Sequence, residues 1–189
     1  MDKLVKLRGD ILALFYNNTQ VSTTQNVYLN SQTSNQVFFN NTLVWKKEFQ
    51  AFPGNTWEHY VNLNDAGSGY NATSRTINGV LELNGGYNGS NAQCALRVDF
   101  TPWKTLTINV SAGSCSHFQF RFGASTTWVN IYGHNQVKVW EQTGASYNPI
   151  GSHSLDVSDV NGSYYIFIYL YSGSTVAANW VNVNSVVLS

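Results

Sequence analysis

The chain has 189 residues, of which 43% are hydrophobic and only 11% are charged. It is long enough for one domain plus a small attachment unit, and its polar surface must come largely from uncharged side chains. Ten basic and ten acidic residues give a formal net charge of zero, which disfavours a nucleic-acid partner because phosphate recognition needs a basic stripe. No apolar run approaches the roughly 20 residues that span a bilayer, so we expect no membrane partner.

The beginning of the sequence lacks the pattern of a secretory signal peptide. The apolar run 11–16 is too short for the hydrophobic region of such a signal, and no small-residue cleavage site follows it. We therefore expect synthesis in the cytoplasm without export.

Residues 1–50 read as a β-hairpin-rich attachment segment. Leu14 and Phe15 belong to a predicted first strand, and 26–29 resembles another. The run 37–45 is interrupted by Asn40-Asn41 and predicts a hairpin, since asparagine tolerates the positive φ that a tight turn demands. Residues 51–55 contain Pro and Gly and are interpreted as a linker.

From residue 56 to 189 the sequence predicts an antiparallel β-sandwich of the jelly-roll type. Runs of β-forming residues alternate with Gly, Asn and Ser, and about eight strands at this spacing are typical of sandwiches. No segment of the sequence repeats apolar residues at the spacing of an α-helix, which also favours an all-β fold. The predicted strands cover 79–84, 92–100, 105–110, 116–122, 127–134, 136–142, 163–171 and 179–188.

Strict alternation along a strand assigns its side chains to two faces. The residues predicted to point inward are numerous enough for a core, at about 1.5–3 kcal/mol for each large apolar side chain buried. They are Leu81, Leu83, Leu96, Val98, Leu106, Ile108, Val110, Phe118, Phe120, Phe122, Val129, Ile131, Val137, Val139, Tyr164, Ile166, Ile168 and Leu170.

The outward residues predict a carbohydrate site, because aromatic rings pack on pyranose C–H bonds while amide, imidazole and guanidinium groups bind hydroxyls. Trp140 is also assigned outward, beside Lys138. The candidate ligand-binding residues are Trp128, Asn130, Tyr132, Tyr169, Tyr171, His117, Gln119 and Arg121.

The same aromatic stripe is open to another interpretation. A face this large is not left bare on a monomer, and Tyr and Trp are enriched at protein interfaces. The stripe is therefore also compatible with burial under the N-terminal segment or against a neighbouring subunit, which would make the protein a homo-oligomer.

The sequence offers little for catalysis, cofactors or metals. The ten acidic residues form no obvious pair across a cleft, and no nucleophile elbow or phosphate loop is present. Alternation places Cys94 toward the core and Cys115 on the solvent-exposed face. Because a disulfide needs the two Cβ atoms close together, we expect two free thiols. We expect no enzyme activity, no cofactor and no metal.

Two stretches resemble known families. Residues 26–29 and 37–45, with the closing Leu43-Val44-Trp45 strand, resemble the N-terminal β unit of tail and accessory virion proteins of phages that infect Gram-positive bacteria. Residues 98–110 and 155–166 resemble the galactose-binding-like jelly rolls of carbohydrate-binding modules. The resemblance implies a virion attachment segment followed by a surface-exposed module, commonly oligomeric, but it carries over no defined ligand residue.

Three functional hypotheses follow. The first is a phage virion protein on the tail tip, baseplate or capsid, whose N-terminal segment binds other virion proteins and whose jelly roll binds a host cell-surface glycan. The second is an architectural decoration or collar subunit that uses the aromatic stripe as a subunit contact. The third is a free carbohydrate-binding module.

Overall fold

The computed structural model describes residues 48–62, 72–86, 90–114, 118–127, 136–144, 148–172 and 179–189, together with short strands among the first 46 residues. The chain divides into two compact units. The first comprises Met1–Phe49 with Ser189, and the second Gln50–Leu188. That the first unit serves as an attachment segment stays a prediction.

The described part of the first unit consists of short antiparallel pairs. β1, β2 and β3 form a three-stranded sheet, and β4–β5 and β6–β7 are hairpins. Phe39 and Thr42 are cross-strand partners, so two residues connect β6 to β7 and the hairpin predicted around Asn40-Asn41 is confirmed. The strands are β1 Lys6–Leu7, β2 Leu14–Tyr16, β3 Thr19–Gln20, β4 Val27–Leu29, β5 Gln32–Ser34, β6 Gln36–Phe39 and β7 Thr42–Lys46.

The second unit is an antiparallel β-sandwich, as the sequence predicts. Its strands are β8 Phe49–Phe52, β9 Glu58–Asn62, β10 Thr73–Ile77, β11 Val80–Gly86, β12 Asn91–Asp99, β13 Thr105–Ser114, β14 Phe118–Ser125, β15 Gln136–Gly144, β16 Gly151–Asp156, β17 Ser163–Ser172 and β18 Asn179–Leu188. One sheet has the order β10-β11-β18-β13-β16, with β8 also paired to β18. The other has the order β15-β14-β17-β12-β9.

The core is formed by the facing surfaces of the two sheets, where alternate residues of each central strand are apolar. In the six-stranded sheet the buried side chains come from β8, β11, β13 and β18, and in the five-stranded sheet from β12, β14 and β17. The alternation assigned from sequence is confirmed at the centre of both sheets, where Leu81, Leu83, Val98, Leu106, Ile108, Val110, Phe120, Phe122, Ile166, Ile168 and Leu170 are buried. Cys94 is buried as predicted and is a free thiol.

The interpretation of 51–55 as a linker was wrong at its start. Ala51 and Phe52 belong to β8 and are buried, and the ring of Phe52 packs edge-on against Trp57 with centroids 6.5 Å apart. Burial of this aromatic pair outweighs the chain-breaking signal of Pro53 and Gly54. Strands β9, β10 and β16 were missed altogether, and the predicted strand 127–134 lies almost entirely outside the described residues.

The face assignment of β15 was also wrong. Val137 and Val139, predicted to point inward, are 41% and 37% exposed, while Trp140, predicted to point outward, stacks on Phe122 at a centroid distance of 5.1 Å. Trp140 and Phe122 are cross-strand partners and therefore share a face of the sheet. Burying the larger indole ring stabilises this register more than burying either valine would.

Side chains join the edges of the two sheets on both sides of the sandwich. On one side, Trp140 of β15 contacts His153 of β16 at 4.7 Å between ring centroids, and Lys138 forms an ion pair with Asp159 at 2.7 Å. On the other side, His59 of β9 binds hydroxyl groups of β10. Within the described part of the chain, no helix is long and apolar enough to cross a membrane.

The inverted face of β15 can be tested with two neighbouring substitutions. Trp140→Ala should lower the free energy of unfolding by about 2–3 kcal/mol, because it removes a ring that packs on Phe120, Phe122 and His153. Val139→Ala, on the exposed side of the same strand, should cost less than about 0.5 kcal/mol. Urea unfolding of both variants measures the difference, and the reverse order would restore the register predicted from sequence.

Candidate functional site

The outer face of the five-stranded sheet, on the side away from the core, carries a concentration of aromatic and amide side chains. Because opposite residues of neighbouring strands lie side by side on one face, the pairing defines two adjacent rows across the sheet. The first row is Thr143, Gln119, Tyr171 and Asn91, and the second row is Glu141, Arg121, Tyr169, Gln93 and Tyr60.

Four residues predicted from sequence meet on this face. Gln119 and Tyr171 are cross-strand partners in the first row, and Arg121 and Tyr169 are partners in the second. Their outward orientation follows from the burial of Phe120 and Leu170 on the opposite face. The other four candidates, Trp128, Asn130, Tyr132 and His117, lie outside the described residues, so their place in the site stays a prediction.

The expectation that Tyr169 is exposed to a ligand was wrong. Tyr169 lies on the predicted face, but its exposed fraction is 0%, as is that of Phe167. The two rings form a hydrophobic cluster of their own on the outer side of the sheet. The chain itself thus covers the rings of Phe167 and Tyr169.

Tyr171 is an aromatic residue of this face that is accessible and also packs against the buried cluster. It is half-buried and packs against the cluster of Phe167 and Tyr169. Gln119, its partner on β14, is also half-buried, and Thr143 beyond it on β15 is exposed. A ring packed against a buried cluster, with amide and hydroxyl groups beside it, is a suitable platform for a polar ligand that also has an apolar face.

Arg121 and Glu141 form an ion pair beside this platform. Nη2 of Arg121 lies 3.0 Å from Oε1 of Glu141, and the side chains are 14% and 33% exposed. Nε of Arg121 is buried without a hydrogen-bond partner among the described residues. The pair holds the guanidinium group and balances its charge, and it leaves the Nε–H donor unused. We call Tyr171, Gln119, Arg121, Glu141 and Thr143 together the Tyr171 corner.

A second unused polar group lies on the far side of Tyr169. The amide of Gln93 is buried, and its Nε2 donates a hydrogen bond of 2.9 Å to Oδ1 of Asn91. Its Oε1 is buried with no partner among the described residues. Buried polar atoms are rarely left without hydrogen bonds, so both Gln93 and Arg121 have capacity for a bound water or ligand group.

Sequence reasoning missed several residues of this face. Glu141 and Thr143 were missed because β15 was given the wrong face, and Tyr60 because β9 was not identified. The sequence did contain a signal for Gln93: its neighbour Cys94 was correctly assigned inward, so alternation alone places the amide outward.

The acidic residues near the strand ends have structural partners. The carboxylate of Asp99 accepts hydrogen bonds from the side chain and backbone of Thr101, which lower its pKa. Asp156 has a lowered pKa because it accepts corresponding bonds from Ser158, led by the backbone N–H. Both close tight turns. In the described ranges, no three His, Cys, Asp or Glu side chains are grouped so as to hold a metal ion.

Comparisons with known proteins yield structural similarity only. No family model matches the sequence, and no curated protein matches it significantly. A low-affinity xylan-binding module from Roseburia intestinalis is similar at 11% identity, with a TM-score of 0.43, over 71% of this chain and 96% of that one.

Two further solved structures show a comparable degree of similarity. A family 11 carbohydrate-binding module from Clostridium thermocellum, in complex with a mixed-linked tetrasaccharide, has 12% identity and a TM-score of 0.47 over 75% of this chain and 94% of that one. The K3 cleaved adhesin domain of Lys-gingipain from Porphyromonas gingivalis has 15% identity and a TM-score of 0.44 over 70% and 90%. The sandwich assignment rests on the two sheets themselves.

The burial of Tyr169 predicts a stability effect. Tyr169→Ala should lower the free energy of unfolding by about 3–4 kcal/mol, because it empties the space of a fully buried ring. Tyr169→Phe keeps the ring and should cost much less. Chemical denaturation followed by tryptophan fluorescence measures both, and an alanine variant of unchanged stability would show that the ring is exposed.

Proposed function

We propose that the β-sandwich unit is a non-enzymatic carbohydrate-binding module that binds its ligand at the Tyr171 corner. The observation that carries the proposal is the half-buried ring of Tyr171, which packs against the buried Phe167–Tyr169 cluster and is flanked by Gln119. A supported ring loses little side-chain entropy on binding, and its face suits the C–H surface of a pyranose.

The polar groups around the ring favour a ligand rich in hydroxyl groups. Gln119 offers both a donor and an acceptor, Thr143 offers a hydroxyl, and the guanidinium of Arg121 offers donors at a fixed position. A few polar groups converging beside an apolar surface are typical of small-molecule and sugar sites.

Charge favours a neutral sugar over an acidic one. The positive charge of Arg121 is balanced by Glu141, so the corner supplies hydrogen bonds without net charge. The rest of the second row, Tyr169, Gln93 and Tyr60, adds no carboxylate or amine.

The proposal predicts loss of binding without loss of folding. Tyr171→Ala should weaken binding of purified Gram-positive cell-wall polysaccharide or of a soluble neutral polysaccharide by at least about tenfold, equivalent to about 1.4 kcal/mol. Isothermal titration calorimetry measures the affinity, and a thermal melt checks that the fold is intact.

The matched control is Tyr165→Ala. Tyr165 lies on the same strand and the same outer face, but it belongs to the other end of the sheet, where Arg97 lies 5.7 Å above its ring. Its removal should leave affinity unchanged. Equal loss of affinity in both variants, or in neither, would move the binding site away from the Tyr171 corner.

We further propose that the protein is part of a phage virion, exposed on the tail tip, baseplate or capsid, with the N-terminal unit attached to other virion proteins. Support comes from the resemblance of residues 26–45 to virion β units and from the separation of Met1–Phe49 into its own compact unit. The module would then reach a host-surface glycan from the particle.

The virion assignment predicts that the chain copurifies with particles. Mass spectrometry of density-gradient-purified virions should detect peptides from both units in constant ratio to a major capsid protein. Detection only in the unassembled lysate fraction would remove the virion role and favour a free carbohydrate-binding module.

One argument for an architectural decoration or collar subunit no longer holds. Phe167 and Tyr169 are fully buried within a single chain, so no neighbouring subunit is needed to cover them. Homo-oligomer formation stays a prediction, and size-exclusion chromatography of the Tyr171→Ala variant distinguishes a subunit contact at this corner from a ligand contact.

A further inference from the structure

His59 connects the edges of the two sheets. It lies on β9, the edge strand of the five-stranded sheet, as the cross-strand partner of Cys94 on β12. Its ring reaches across to β10, the edge strand of the other sheet, with Nδ1 at 2.9 Å from Oγ of Ser74 and Nε2 at 2.9 Å from Oγ1 of Thr76. Both ring nitrogens are thus used to hold two strands that share no backbone hydrogen bonds.

The hydrogen bonds determine which nitrogen carries the proton. The hydroxyl of Ser74 donates to the backbone carbonyl oxygen of Gln93, so its oxygen is left to accept a hydrogen bond from His59. Nδ1 therefore carries the proton, and the lone pair of Nε2 accepts a hydrogen bond from Thr76. A protonated ring would donate from both nitrogens, so the hydroxyl of Thr76 would have to change from donating this hydrogen bond to accepting it.

The surroundings of His59 also disfavour its charged form. Burial lowers the pKa of the imidazole below its ordinary value of 6.5. On the neighbouring strand β12, His59 faces Cys94, whose thiol has a raised pKa because it is buried and therefore stays neutral. From β10 it faces only the hydroxyls of Ser74 and Thr76, and no carboxylate among the described residues lies on this side.

The charged groups of these strands point to the opposite surfaces. Glu58 and Tyr60 alternate with His59 and lie on the outer face of β9. Arg75 lies on the outer face of β10, where it forms an ion pair of 2.6 Å with Glu82. Among the described residues of β9, β10 and β12, no carboxylate is therefore placed to stabilise an imidazolium at this position.

We propose that His59 is an acid-sensitive latch, whose protonation releases strand β9 from β10 and opens the edge of the sandwich over Cys94. Opening is local because β9 pairs only with β12 in its sheet, and edge strands separate at lower free-energy cost than central ones. The latch is a property of the fold and does not depend on the proposed ligand.

The direction of the pH effect follows from linkage. The released or unfolded imidazole takes up a proton near pH 6.5, whereas the latched ring resists protonation to lower pH. The latch is therefore fully stabilising above that pH, and its contribution falls as the pH drops below about 6.5 toward the lowered pKa of the closed form.

Cys94 provides a built-in reporter of opening. The thiol is buried and lies directly across from His59, so a thiol reagent reaches it only when β9 moves away. In a Cys115→Ser background, the rate of Cys94 modification by a pyridyl disulfide should be compared between the native His59 and a His59→Gln variant. Comparison at the same pH cancels the pH dependence of the reagent.

The native chain should show the larger response to acid. Lowering the pH from about 7.5 to about 5 should raise its modification rate, relative to that of His59→Gln, by at least about threefold. The matched control is His153→Gln, because His153 joins the opposite edge through Trp140 and the carbonyl of Pro149. That variant should keep the native acid response.

An equal acid response in His59→Gln and the native chain would overturn the latch. A second measurement needs no variant: hydrogen–deuterium exchange of peptides covering Glu58–Asn62, corrected for intrinsic rates, should be faster at about pH 5 than at about pH 7.5. Protection of this strand that does not change with pH would equally reject the proposal.

Discussion

Strand β17 is buried on both of its faces, and the rest of the sandwich unit is arranged around that burial. Ile166, Ile168 and Leu170 enter the core between the sheets, while Phe167 and Tyr169 form a separate cluster on the outer side. A central strand covered on both sides reads as a continuous apolar run. The sheet must accommodate the outer rings, and its neighbouring strands do so with small residues.

Gly123 and Ala95 lie on either side of Phe167 across the sheet. A side chain at Gly123 would place its Cβ 2.0 Å from the carbonyl oxygen of Lys138, so only glycine fits there. Glycine is required here by the close approach of the β15 backbone, and the polar residues of the Tyr171 corner begin one row further along. The proposed binding surface is thus positioned by the packing of the outer cluster, and Tyr171 is where that cluster becomes accessible.

Alternation correctly predicted the sandwich and most of its core, because a strand with one face buried is strongly constrained in register. It failed for β15, where either face of an edge strand offered apolar side chains and the choice depended on whether Trp140 could stack on Phe122. It also failed to predict the burial of Tyr169. The uninterrupted apolar run 164–171 was itself the signal for two buried faces, whereas alternation by itself assumes that one face is wet.

The edges of the sandwich explain why three strands were missed. β9, β10 and β16 lie at sheet edges and consist mostly of polar residues, so their sequences carry little apolar alternation to detect. Their stability comes from side chains that bridge the two sheets, His59 on one side and the Trp140–His153 contact on the other. Such bridges join residues 15 to 17 positions apart on the first side and depend on how the sheets face each other, which a local pattern does not encode. A polar bridge is also more easily released than an apolar one, since a single proton changes its hydrogen-bonding. Under the proposed latch, the edge held by His59 is therefore the one that acid opens.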